Sequence, residues 1–61
     1  MNSREIERYT NKQVRVYQKD NKTFWTGNIE SVSELATTIK DKFDRLVTIE
    51  NEEIKTISEW S

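Results

Sequence analysis

Arg15, Tyr17 and Lys19 alternate along the chain, and Phe24 follows beyond the polar stretch Asp20-Asn21-Lys22. In a strand, alternation puts the first three on one face, and a return strand sets Phe24 across from Lys19. Two aromatic rings beside two cations can stack bases and hold phosphates, the chemistry of single-strand nucleic-acid binding. The same residues have a plainer use. Tyr17 or Phe24 packs beneath an N-terminal helix or against Trp60, since tertiary context often overrides simple strand patterning. Trp60 therefore joins Arg15, Tyr17, Lys19 and Phe24 as a candidate for the binding surface. A second group is acidic: Glu50, Glu52, Glu53 and Glu59 crowd the final stretch of the chain and mark a candidate acidic edge.

Much of enzymology is excluded by composition. The chain has no cysteine and no histidine, which removes disulfides, zinc centres of the usual kind, thiol catalysis and imidazole acid-base chemistry. Asp41, Asp44, Glu52 and Glu53 offer oxygen donors for magnesium or calcium, but no stretch has the ligand spacing or the glycine of a calcium loop. No nucleophile stands beside a base, and 61 residues leave little room for a desolvated pocket. The expectation is a protein that is not an enzyme, with no cofactor and no bound metal. No apolar run reaches the length of a signal-peptide core or a membrane span. A soluble, cytoplasmic protein without a membrane partner is expected.

The elements that must position these residues begin with the stretch VRVYQKDNKTFWTGNIESVSE, residues 14–34, where two alternating apolar runs flank a polar turn. That pattern predicts a β-hairpin. Val14 and Val16 share one face, as do Trp25, Gly27 and Ile29. A two-residue turn at Asn21-Lys22 sets Val14 opposite Ile29, Val16 opposite Gly27 and Gln18 opposite Trp25; a four-residue loop keeps the same parity. Gly27 is the only glycine, and on the core face of a strand it permits either a sharp bend or a close approach by another backbone.

Before the hairpin, Asn2 followed by Glu5 has the form of a capping box and predicts a short helix within residues 1–11. Ile6 and Tyr9 share its buried face, and Asn11 is its stop signal. Beyond the hairpin, Leu35, Thr37 and Ile39 alternate as in a strand, while Leu35, Ile39 and Phe43 recur as in a helix. The β-branched run Thr37-Thr38-Ile39 favours the strand. A turn follows at residues 41–44, then a strand at residues 45–50 with Val47 and Ile49 inward, then a turn at residues 51–53. Ile54 and Ile57 are out of phase for a plain strand, so the last element begins with a one-turn helix or a kink.

At 61 residues the chain forms one domain, residues 1–61, with a helix in 1–11 and a small barrel over 12–61. A domain of this size buries only ~60% of its unfolded surface. Ile, Leu, Val and Phe supply 14 residues against a net charge of -1, which argues for a folded chain. Residues 1–30 carry a net +2 and residues 31–61 a net -3. If those halves occupy different surfaces, copies of the chain can join head to tail; otherwise the charges are an ordinary solvated surface.

A short helix, a hairpin, a long strand holding TGNIESV at residues 26–32 after an Asn21 turn, and short strands ending in isoleucines together resemble the Sm-like family, in particular the Hfq-type RNA chaperones. The resemblance covers nearly the whole chain and implies a mainly β fold, a five-stranded SH3-like or Sm-like barrel with a short N-terminal helix. It also implies a bacterial or phage origin and a regulatory role. There are departures. Where Sm-like RNA binders place an aspartate and an Asn-bearing loop, this chain has SVSELATT at residues 31–38. The last strands lack the Arg-Gly or Lys-His pairs used on uridine-rich RNA and read IENEEIKT instead, where the acidic residues oppose phosphate. Some Sm-like proteins bind a protein, such as the small inhibitor of the transcription terminator Rho. The leading expectation is thus a regulatory protein that binds a protein partner, with RNA or DNA binding second and a structural subunit of a larger assembly third. A monomer or small oligomer is expected over a ring, because Glu52 and Glu53 crowd the turn between the strands such rings join.

Overall fold

The architecture is that of a computed structural model, which describes residues 1–59. Asn2 caps the helix α1 (Ser3–Glu7): its side-chain oxygen accepts the Glu5 N–H at 3.0 Å. Five residues are too few to be stable alone, and α1 is held by burying Ile6 completely, with Tyr9 packed beside it. The helix is shorter than residues 1–11. Asn11 does not stop it but turns the chain into the sheet, with φ 65° and its N–H donating to the Ile29 carbonyl at 3.0 Å. No helix is long and apolar enough to cross a membrane among the described residues.

Five strands follow: β1 (Gln13–Gln18), β2 (Phe24–Val32), β3 (Ala36–Lys40), β4 (Leu46–Glu50) and β5 (Ile54–Glu59). They form one antiparallel sheet in the order β4-β3-β2-β1-β5. The fold is mainly β, with one short helix. In the segment where strand and helix patterns compete, the β-branched alternation wins: Thr37 and Ile39 are buried, while Leu35 and Phe43 stay outside the strand and exposed. Among the described residues β4 and β5 do not pair, so the sheet is not closed into a barrel. It is nonetheless strongly curled. A single 3-10 turn, Asn51–Glu53, connects the two opposite edges, and the extents of 25 × 24 × 20 Å are far from the slab, ~10 Å thick, of a flat layer.

The hairpin register differs from the expected one by two residues. Val14 faces Gly27, Val16 faces Trp25 and Tyr17 faces Phe24, because the loop holds four residues, 19–22, closed by the Gln18 N–H on the Thr23 carbonyl at 3.0 Å. A shift of two preserves which face is buried. Two bulges adjust the sheet further. In β2 the extra residue is Glu30, between the Ile29 and Ser31 pairings; it changes the parity, so Trp25, Gly27 and Ile29 face the core before it and Val32 after it. In β5 the extra residue is Lys55, with Ile54 opposite Gln18 and Thr56 opposite Tyr17. This bulge lets Ile54 and Ile57, three apart, both enter the core.

The core is aliphatic: Ile6, Val14, Val16, Ile29, Ile39, Ile49, Ile54 and Ile57. Gly27 serves it by being absent as a side chain. A Cβ there would strike the Lys40 carbonyl and lie 3.1 Å from the Asp41 Cα, so the glycine admits the end of β3 against β2. Asn51 is the buried polar centre. Its Oδ1 accepts the Thr37 hydroxyl at 2.7 Å, its Nδ2 donates to the Ser33 and Glu34 carbonyls, and its N–H donates to the Leu35 carbonyl at 2.8 Å. The Met1 nitrogen donates to the Asn51 carbonyl at 2.9 Å.

Two substitutions test these positions. Gly27→Val should cost about 3 kcal/mol or more, since neither backbone can yield cheaply; a melting temperature within a degree or two of the parent's would remove the close approach from the account. Asn51→Ala should cost about 2–4 kcal/mol by stranding the buried Thr37 hydroxyl and the loop carbonyls. Chemical denaturation reads both, and an Asn51→Ala midpoint equal to the parent's would contradict the role given to Asn51.

Candidate functional site

Burying Val14 and Val16 sends Arg15 and Tyr17 to the outer face of β1. The Gln18 N–H donates to the Thr23 carbonyl at the hairpin's end, so the next pair, Tyr17 and Phe24, is a non-hydrogen-bonded one in which side chains come closest. Their ring centroids stand 6.0 Å apart at a 39° tilt, and the Arg15 guanidinium lies 5.1 Å from the Phe24 centroid. Three of the sequence candidates therefore meet. Neither ring is under α1, because the helix buries Ile6 on the opposite face.

Lys19 does not join them. It lies one residue beyond β1, exposed, with its N–H donating to the Glu53 carbonyl at 2.9 Å, and Phe24 sits across from Tyr17 instead. The cations that line the cleft are Lys22 and Lys55, with Tyr17, Phe24, Gln18 and Thr56, around a volume of about 460 Å³. Lys55 reaches Asn21, donating to its Oδ1 at 2.8 Å. Sequence reasoning missed both lysines. Lys55 arrives through the pairing of β5 with β1 and the bulge within it, a long-range arrangement that no local pattern announces.

The acidic candidates divide. Glu50 ends β4, and Glu52 and Glu53 form the exposed 3-10 turn beside it. Glu59 lies at the far end of β5 and pairs with Lys12 at 2.6 Å; that hydrogen bond and charge raise the Lys12 pKa. The four are not one edge. Trp60 lies outside the described residues. Nor do the oppositely charged halves of the chain separate, since β1 and β2 lie between β5 on one side and β3 and β4 on the other.

Asp41 is occupied within its own turn, accepting the Phe43 N–H at 2.8 Å, the Arg45 N–H at 3.0 Å and the Arg45 Nε–H at 3.1 Å. Among the described residues no three acidic side chains gather to hold a metal. Large apolar side chains are left on the surface: Phe24 is 52% exposed, Phe43 65%, Leu46 66% and Leu35 78%. Phe43 lies beside a second groove of about 700 Å³ along β2 and the 41–45 turn, with the Lys42 and Arg45 cations each 5.2 Å from its ring.

The hairpin loop that presents Phe24 and Lys22 is held by Asp20. Its carboxylate accepts the Thr23 hydroxyl at 2.6 Å and the N–H groups of Lys22 and Thr23 at 2.9 and 2.8 Å. The Thr23 hydroxyl first, then those N–H groups, hold the Asp20 pKa below the usual carboxylate value. The Arg45 and Phe43 N–H groups do the same for Asp41 against some desolvation. A depressed folded-state pKa means the unfolded chain takes up protons first, so this stability is present above about pH 4 and is lost as pH falls through the folded values. An Asp20→Asn/Asp41→Asn variant should show a flatter loss of melting temperature below about pH 4 than the parent; identical acid profiles would show that these carboxylates do not couple to folding.

No protein-family model, curated protein or solved structure matches this chain.

Proposed function

We propose that this chain is a non-enzymatic binding module, a small regulatory protein that docks a protein partner on the outer face of the β1–β2 hairpin. The observation that carries this reading is the division of apolar residues. Isoleucine and valine fill the core, while on the hairpin's outer face Phe24 stays 52% exposed beside Tyr17; Leu35, Phe43 and Leu46 are exposed elsewhere, on the β2–β3 loop, the 41–45 turn and β4. Exposed large side chains rimmed by polar ones are what interaction surfaces are made of. A barrel-like curl with an SH3-like or Sm-like plan is the finer reading of the fold. Support comes from the strand order, the 3-10 turn between the two edges, and the glycine and bulge that bend β2.

A second reading, binding of single-stranded nucleic acid, draws on the cations around the Tyr17–Phe24 pair. Against it, Arg15 already lies over the Phe24 ring, and the Glu52–Glu53 turn stands beside the cleft's end through the Lys19–Glu53 bond. A long polyphosphate would have to pass those carboxylates.

Affinity capture from extract, with and without nuclease treatment, separates the two. The expected result is a discrete protein retained by the parent after nuclease treatment and released by Tyr17→Ala or Phe24→Ala. Loss of all captured protein on nuclease treatment would replace this reading with the nucleic-acid one.

A further inference from the structure

We infer that the cleft between the hairpin loop and the start of β5 takes a short acidic peptide segment carrying an aromatic or large aliphatic side chain. This deepens the protein-binding reading and rests on it. The cleft's floor is apolar and its walls are cationic: Tyr17 and Phe24 lie between Lys22 on the loop and Lys55 on the β5 bulge, with Arg15 behind the Phe24 ring. A volume of about 460 Å³ lies within the range of small binding sites and suits one inserted side chain with its flanking backbone.

Charge complementarity selects the occupant. No carboxylate is among the residues that line the cleft in the described chain. The nearest acid on the loop, Asp20, is turned into its own backbone, where it accepts from Lys22, Thr23 and the Thr23 hydroxyl. Lys55 is held over the cleft by Asn21, whose positive φ of 61° shapes the loop. Its bond is to a neutral oxygen and leaves the ammonium charge uncancelled. Two lysines around an apolar floor thus call for carboxylates flanking an apolar side chain.

The same geometry favours a peptide over a nucleic acid. The positive field is local, and it is bounded by Glu52 and Glu53 in the turn just before Lys55. A segment of a few residues fits inside that boundary, whereas a uniformly charged strand crosses it.

Three polymers serve as probes in fluorescence-anisotropy titrations of the full chain at low and near-physiological salt: a random copolymer of glutamate and tyrosine, polyglutamate, and oligouridylate. Expected is binding of the copolymer at least tenfold tighter than polyglutamate, weakened tenfold or more by Lys22→Glu/Lys55→Glu and by Phe24→Ala. Those side chains are exposed, so melting temperatures near the parent's should confirm that the variants fold. Equal affinity for the copolymer and polyglutamate, tighter binding of oligouridylate, or no binding of the copolymer would each overturn the inference. The broader reading fails separately: a partner captured equally well by the parent and by Lys22→Glu/Lys55→Glu leaves a protein-binding module standing while removing the acidic peptide.

Discussion

The curl of the sheet depends on Asn51. Its side chain and backbone engage the 33–35 loop between β2 and β3, the Thr37 hydroxyl within β3, and the Met1 nitrogen. These bonds fasten the turn that joins the two outermost strands to the loop at one end of the sheet. A buried amide repays its desolvation only when its donors and acceptors are met, and here two N–H bonds and an accepted hydroxyl meet them. With that turn fixed, Ile49 and Ile54 on either side of it enter the same core.

The outer surface inherits its character from the inner one. A core filled by β-branched aliphatics suits the pleat of narrow strands, with the rings of Tyr9 and Trp25 packed at its margin. Tyr17 and Phe24 are placed outside by parity, and the β5 bulge decides what meets them there. The bulge at Lys55 brings a lysine toward the hairpin loop while keeping Ile54 and Ile57 buried. One irregularity thus serves both packing and the candidate site.

Strand alternation made much of this legible. The hairpin faces, the strand at Thr37 and Ile39, the turn at residues 41–44 and the Asn2 cap follow from local pattern, and each is present. The register was not legible, because the two-residue and four-residue loops preserve the same parity and only the Asp20 bonds distinguish them. The site was legible in part. Arg15, Tyr17 and Phe24 share a face by local rules, but Lys55 comes from a strand some forty residues away along the chain, and Lys19 departs because β1 ends just before it. The unity of the acidic edge failed for a similar reason: Glu59 is near Glu53 in sequence but at the other end of an extended strand.

The pairing of β1 with β5 also sets an order of events during synthesis. Strands β1 to β4 form a meander whose contacts are local, whereas β1 gains its second neighbour only from β5, which follows all of them. A nascent chain at the usual pace of about 5–20 residues per second therefore carries β1 as an exposed edge, with Arg15 at its middle, until β5 is made. Contacts of such long sequence separation slow folding. Arg15 is the charge on that open edge, and a charge there disfavours pairing with another chain.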